Sequence, residues 1–266
     1  MRLLVIVPSR LERDSSGRLF LAKALDAIAA QQLSSAPGSG LDIAVKISIG
    51  VDPGAVLPTD LTLPEHAGVS HAAARSQASA LNAAAEALDH DFVAILEDDD
   101  RWLPGHLETS LRALHERELD FVSSTQLQID EKGNVASIFD FPTPSGWVMR
   151  RAVWQSVGPF DTSYRYHLDN EWLGRLAARG FRRGHLVECT APLDPRWMSV
   201  RPWLHHVLTN GGPRSTLLRH DQPAPLVHRM VHAGSGMSAV ANDSKARSTS
   251  QQEYERLART YGRIPW

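Results

Sequence analysis

The stretch that most constrains this chain is Phe92-Val93-Ala94-Ile95-Leu96-Glu97-Asp98-Asp99-Asp100-Arg101-Trp102, in which five apolar residues run straight into four consecutive carboxylates. A short apolar run reads as a strand buried on both faces, as in a parallel sheet. Like charges cannot enter such a core, so the acids must lie just past the strand's carboxyl end. That edge is where open α/β sheets bind ligands. Crowded carboxylates repel unless a cation neutralises them, and hard cations such as Mg2+ or Mn2+ take oxygen ligands. A run of charge is also what a solvated acidic loop looks like. The strand in front of it ties these acids to the sheet edge rather than to a free tail.

The elements around this stretch follow an α/β order. Leu3–Val7 is an apolar, β-branched run ending at Pro8, hence a buried first strand, and 9–17 is a polar loop at its carboxyl end. Phe20, Leu21, Ala24, Leu25 and Ile28 recur at helical spacing. A Ser/Pro/Gly turn over 34–40 leads to a second strand at Ile43–Ile49, closed by Gly50-Val51-Asp52-Pro53-Gly54. Strand, helix, strand in this order makes a right-handed parallel unit. Residues 53–69 read as an irregular connection, and 70–88 as an Ala-rich helix with Leu81, Ala84 and Leu88 on one face.

Past the acids, Pro104 starts a helix whose buried stripe is Leu107, Leu111 and Leu114. Runs at 120–129 and 135–139 flank Glu131-Lys132-Gly133-Asn134 as an antiparallel hairpin. A loop at 142–146, a short strand at 147–149, a helix at 151–157 stopped by Gly158 and a helix at 169–179 stopped by Gly180 follow. Beyond residue 190 periodicity is weak: 233–250 is small and polar and reads as a mobile stretch, and 253–261 as a terminal helix. The expected fold class is α/β: a single Rossmann-like domain, a mostly parallel sheet with flanking helices and a small antiparallel hairpin. It spans 1–190 in two halves, 1–104 and 105–190, and a C-terminal extension, 191–266, packs on it.

Composition removes several classes. A net charge of -2 makes no global case for nucleic-acid binding, although nearly all the positive charge is Arg, which suits bidentate phosphate contacts. The single cysteine, Cys189, excludes an internal disulfide and a cysteine-based zinc site. Pro8 and charges follow the apolar start at once, so no signal peptide is expected, and no stretch approaches the about 18 apolar residues of a membrane span. A cytoplasmic protein is the expectation.

The order of features resembles family 2 glycosyltransferases of the GT-A fold, over roughly residues 1–185 with a weaker patch near 230. The likeness rests on Pro8-Ser9-Arg10 after the first strand, Asp52 after the second, and Leu96 to Trp102 followed by Pro104, like the family's Leu-Asp-x-Asp-Asp-x-Trp and Pro. Gly158-Pro159-Phe160-Asp161, then His167-Leu168-Asp169-Asn170-Glu171, then Arg175-Leu176 and Gly180 complete it. The resemblance implies a nucleotide diphosphate-sugar donor, a UDP-sugar foremost, and Mn2+ or Mg2+. It implies Asp99 as metal ligand, with Glu97 where the family has its first Asp, and Asp98 facing the ribose. Asp100 either caps the helix after Pro104 or joins the site. Asp52 takes the place that bonds the base, while Pro8, Arg10 and Arg75, the last on the helix near the nucleotide, stand where phosphate or base is met.

Asp169 matches the family's acceptor-deprotonating Asp, with Leu168 in place of the preceding Glu; it can equally be a helix cap. Glu171 is a second acceptor-side candidate. Arg229-Met230-Val231-His232 resembles a late Arg-x-x-His stretch, which implies His232 as a metal ligand with His228 behind it. Gly146 and Trp147 lie where relatives contact the acceptor; that Trp either stacks on a sugar or fills the core. Trp197, Met198 and Trp203 either line the acceptor side or pack.

The implied activity is metal-dependent sugar transfer, inverting with Asp169 as base. A retaining transferase, a nucleotidyltransferase and a non-catalytic nucleotide-sugar-binding module are the alternatives. Against a nucleotidyltransferase, 9–17 holds one Gly and is no triphosphate-gripping loop. The acceptor stays open: a saccharide, a lipid-linked sugar, a small metabolite or a modified nucleobase.

Overall fold

A computed structural model describes residues 1–31, 33, 43–87, 89–191, 201, 204 and 214–262. The turn at 34–40, Leu88, Trp197, Met198 and Trp203 lie outside the described residues.

The first strand, β1 (Arg2–Ser9), pairs in parallel with β2 (Ala44–Val51) and with β4 (Phe92–Ile95). Leu3 to Val7 are wholly enclosed. Leu4 and Ile6 join one apolar cluster, Leu3, Val5 and Val7 the other, as alternation across a strand requires. Burying each such side chain contributes about 1.5–3 kcal/mol relative to exposure. Helix α1 (Phe20–Ala29) covers the second cluster with Leu21, Ala24, Leu25 and Ile28, and Phe20 at its start is buried too.

The connection after β2 is not wholly irregular. β3 (Ala67–His71) pairs in parallel with β2 at the sheet edge, Ile47 opposite Ala67. The Ala-rich helix therefore starts later than its composition suggests, as α2 (Gln77–Ala85), with the Ser76 side chain capping Ser79 N–H at 3.1 Å. Its alanines serve close approach. A Cβ on Gly50 of β2 would overlap the Ala80 carbonyl, so helix and strand meet backbone to backbone.

After β4 come β5 (Arg101–Trp102), α3 (His106–Glu116), β6 (Phe121–Ser124), and the hairpin β7 (Gln126–Asp130) and β8 (Val135–Phe139). A single 3-10 turn (Pro144–Gly146), β9 (Val148–Arg150), α4 (Arg151–Val157), α5 (Leu168–Ala178) and β10 (Arg183–Val187) follow. Residues beyond 190 add β11 (Ser215–Arg219), β12 (Val227–Val231), α6 (Gly236–Asn242) and α7 (Ser244–Tyr261). The stretch at 233–250 is thus largely helical, and the terminal helix begins at Ser244 rather than 253.

The strands form two sheets. The larger runs β11-β10-β6-β9-β4-β1-β2-β3, all parallel except β9, which is antiparallel to β4 and β6. The smaller runs β5-β12-β7-β8. The carboxyl ends of β1, β2, β4, β6 and β10 thus share one edge, and β5 leaves the acidic turn directly into the small sheet. Among the described residues no helix is long and apolar enough to cross a membrane.

Candidate active site

Register assembles the first half of the site. Ile6 lies opposite Ile95, so the residues three further on, Ser9 and Asp98, come side by side, and the Ser9 hydroxyl donates to Asp98 Oδ2 at 2.5 Å. Ser9 also faces Val51, which sets Asp52 next along the edge. Pro8 is buried inside β1, opposite Gly50. It shapes the strand end and offers no surface to a nucleotide. Arg10 is exposed just beyond, 3.6 Å from Glu12. Arg75 is exposed in the bend before the Ser76 cap, not on the helix.

The four acids are sorted by their neighbours. The Glu97 N–H donates to Ser145 Oγ at 3.0 Å, and its carboxylate accepts from Gln77 Nε2 and, at 3.3 Å, from Ser145 Oγ. Burial, with the charge of Asp99 next, pushes the Glu97 carboxyl up to about 7. Asp98 is likewise pushed up to about 7 by burial and then by Asp99. Asp100 does not cap the next helix, which starts at His106 behind a left-handed Gly105. Its Oδ1 instead accepts the Met230 N–H at 2.9 Å, which pins β12 to the turn. Burial and Asp99 hold its pKa well above the carboxylate range.

β12 runs antiparallel to β5, Val227 opposite Trp102 and His228 opposite Arg101, so its later residues pass the acidic turn. His232 Nε2 reaches Asp99 Oδ2 at 3.0 Å across 133 residues of sequence. That hydrogen bond raises the His232 pKa against the lowering effect of burial. Asp99 and His232 can supply two ligands to a divalent cation. Glu97 is not gathered with them, because its carboxylate is turned to Gln77 and Ser145. Among the described residues no three His, Cys, Asp or Glu side chains converge as a ligand set. His228 lies opposite Arg101 in register, and burial, with the charge of Arg101 next, lowers its pKa.

Sequence reasoning assigned no role to Arg229. Its guanidinium lies over the Phe139 ring at 4.8 Å, and its positive charge favours ionised Glu97, Asp100 and Asp169. One cation thus serves the acidic turn and the start of α5. Asp169 sits in the first turn of α5 behind the cap position, His167, so it is not the cap. Its Oδ1 accepts the Asn170 N–H at 2.8 Å. Burial raises its pKa, and its charge reaches Glu97.

Three acceptor-side candidates are enclosed or already engaged. Trp147 is fully enclosed, donates Nε1–H to the Pro142 carbonyl at 2.9 Å and stacks on Phe160, so it cannot face a sugar. Gly146 is buried, and a Cβ there would sit 3.0 Å from the Ser124 carbonyl; its role is to let the turn that carries Ser145 pack tightly. The Glu171 carboxylate is consumed by Arg175, with both contacts at 2.8 Å.

Residues 66–188 match the family model described as Glycosyl transferase family 2. No curated protein matches the chain in sequence. Among solved structures, S. aureus TarS superposes with a TM-score of 0.56 at 13% identity, over 97% of this chain and 43% of that one. S. aureus TarS 1–349 in complex with UDP gives 0.54 at 13% identity, over 98% and 72%. The same fragment in complex with UDP-GlcNAc gives 0.52 at 13%, over 98% and 73%. The chain therefore spans less than half of the longer TarS structure, and at this identity the likeness is one of fold. Residues 66–188 thus carry the likeness to glycosyl transferase family 2, and the chain shares its fold with the TarS structures.

Proposed function

We propose that this protein transfers a sugar from a nucleotide diphosphate sugar to an acceptor hydroxyl, with inversion at the anomeric carbon. One observation carries the reading: β12 and α5 bring the Asp99–His232 pair and the half-buried Asp169 to the same acidic edge. A base must be available and basic. Burial raises Asp169 above an ordinary carboxylate, which increases its appetite for a proton while Arg229 keeps its ionised form accessible. Asp169 takes the proton of the acceptor hydroxyl as that oxygen bonds to the anomeric carbon. The bond from that carbon to the diphosphate oxygen breaks, and its electron pair leaves with the nucleoside diphosphate.

Asp99 and His232 fit a divalent cation, since one carboxylate oxygen and one imidazole nitrogen point at each other and the surrounding acids are destabilised by their own charge. A mixed nitrogen and oxygen donor set favours Mn2+ over Mg2+. Such a cation would neutralise the charge that builds on the departing diphosphate. Asp98 and Asp52, past the ends of β4 and β2 on either side of β1, would meet ribose and base, and the exposed Arg10 and Arg75 phosphate. The UDP and UDP-GlcNAc complexes of TarS support a UDP-sugar donor.

The experiment is a thermal-shift panel of nucleotide sugars with and without Mn2+, followed by turnover of Asp169→Asn. Stabilisation should require both nucleotide and cation. Asp169→Asn should bind donor within about twofold of wild type and turn over roughly 100-fold or more slowly. Wild-type turnover in that variant would remove Asp169 as the base.

A further inference from the structure

Three successive backbone N–H groups, those of Arg165, Tyr166 and His167, lead into α5 just ahead of Asp169. All three point at one buried carboxylate from the far end of the chain. Glu253 on α7, 6% exposed, accepts Arg165 N–H on Oε1 at 2.7 Å and the N–H groups of Tyr166 and His167 on Oε2 at 2.9 and 3.1 Å. Both oxygens are occupied by a single turn of backbone.

A second thread runs beside it. Ser250, one helical turn earlier, meets His167 Nε2 at 3.0 Å. His167 Nδ1 accepts from the Asn170 side-chain amide at 3.2 Å, which places the ring proton on Nε2 and makes Ser250 its acceptor. Asn170 then donates to Asp169 Oδ1 twice, from its backbone at 2.8 Å and its side chain at 3.3 Å. The chain of contacts from Ser250 ends on the carboxylate oxygen of the proposed base.

The helix that carries these groups is itself braced. Ser250, Glu253, Leu257 and Tyr261 fall on one face at helical spacing. Leu257 is buried in the core beside the α5 residues Trp172, Leu173 and Leu176. Gly174 of α5 leaves no room for a Cβ against the Tyr261 ring, and Tyr261 Oη donates to the Glu171 carbonyl at 3.4 Å. Arg256 lies over Tyr164 at 3.5 Å and donates to Ser163 Oγ at 3.0 Å. The turn before Asp169 is thus clamped from one side by one rigid helix.

We propose that Glu253 is a positioning residue for sugar transfer: its carboxylate fixes the 165–167 turn, and with Ser250 through His167 and Asn170 it holds the Asp169 carboxylate in its reactive place. The proposal rests on Asp169 being the base. A base displaced by about 1 Å from its productive geometry loses roughly 100-fold in rate, with little change in ground-state binding. Glutamine at 253 presents an NH2 to N–H groups that need an acceptor, so the turn must shift.

The test is a double-variant cycle on the full chain: wild type, Glu253→Gln, Asp169→Asn and the two combined. The readout is nucleoside diphosphate release into water from whichever donor the wild type hydrolyses in a panel of UDP- and GDP-sugars, well below the melting temperature of each variant. Glu253→Gln should lower kcat about 10- to 100-fold and leave donor Kd within about twofold. In the Asp169→Asn background the same change should cost less than about threefold, because the group it positions is gone. A Glu253→Gln kcat at the wild-type level, with Asp169→Asn impaired, overturns the positioning role alone. A loss that multiplies undiminished on Asp169→Asn reduces Glu253 to scaffold and also overturns it. Asp169→Asn at full activity, or no turnover of any donor by the wild type, removes the base assignment and this proposal with it. Should Glu253→Gln fail to fold, Ser250→Ala carries the cycle, with a fall of about 3- to 10-fold that vanishes on Asp169→Asn.

Discussion

The proposed cation should compete with a proton for His232, and the contest can be counted. His232 Nε2 lies 3.0 Å from Asp99 Oδ2, with 8% of the His side chain exposed. The Asp99 hydrogen bond, opposed by burial and aided by the charges of Asp99, Glu131 and Glu12, raises the His232 pKa above its ordinary value of 6.5. At pH 6 the imidazole is therefore protonated in the free protein, and it must be neutral to ligate a metal. Binding expels one proton from His232. Each pH unit below the raised pKa should then weaken the cation tenfold, or about 1.4 kcal/mol.

His232→Gln removes that titration and keeps Asp99. Glu97 and Asp98 release protons alike in both proteins, so their contribution cancels in the difference. Calorimetric titration of Mn2+ into UDP-saturated protein at pH 6, in two buffers of different ionisation enthalpy, reads proton release directly. Wild type should release about one proton more than His232→Gln and bind about 10- to 100-fold tighter at pH 7.5. Equal proton release by the two proteins would show that His232 stays off the metal, and the Asp99–His232 ligand pair would fall.

Three further outcomes follow from packing and burial. Glu171→Ala strands Arg175 in a partly enclosed ion pair and should cost roughly 3 kcal/mol in urea unfolding, with kcat of the folded protein unchanged; a selective rise in acceptor KM would restore its acceptor-side reading. Trp147→Phe loses the bond to Pro142 and ring area, so about 1.5–3 kcal/mol of stability should go with no effect on turnover; an acceptor KM effect at full stability would contradict its burial. His106 and His185 are fully enclosed, and burial holds them down to about 3 and about 4. Because the unfolded chain takes those protons first, stability is full above pH 6.5 and falls by about 1.4 kcal/mol per unit for each His as pH drops toward 4. His106→Leu should remove about one proton from that slope between pH 5 and 6, and an unchanged slope would show that His106 is not held neutral.

Much of this could be read from the chain because the decisive patterns are local. β1 and β4 are short apolar runs with partners on both faces, and α4 ends at Gly158, whose φ of 83° suits no side chain well. Local pattern failed where remote partners decide. Ala72 to Ser76 has a helix-compatible composition, yet pairing of β3 with β2 takes 67–71 first and Ser76 then serves as cap. The small polar stretch at 233–250 lacks an apolar stripe and still forms helices, capped by Ser235 and Asp243 side chains on Ser238 and Ala246 N–H. The buried face of α7 could not be read either, since two of its inward groups, Ser250 and Glu253, are polar and spacing alone assigns a Glu on a helix to solvent.

The same division explains the acidic turn. Its four carboxylates are chemically near-equivalent in sequence, and their order along the chain does not say which one faces a cation. Neighbours decide it. Ser9 from β1 takes Asp98, Gln77 and Ser145 take Glu97, and the Met230 N–H takes Asp100. Asp99 is then the member whose partner, His232, can itself become a ligand. Two of these contacts, with the guanidinium of Arg229, come from β12 and the residue just past it. Strand β12 finds its partners more than a hundred residues earlier, on β5 and β7, which is why its own sequence carries so faint a pattern. A site sorted in this way is completed only when the last strand closes. Displacing β12 should therefore free Asp100 and His232 together while leaving the β1–β4 register, and with it the Ser9–Asp98 contact, in place.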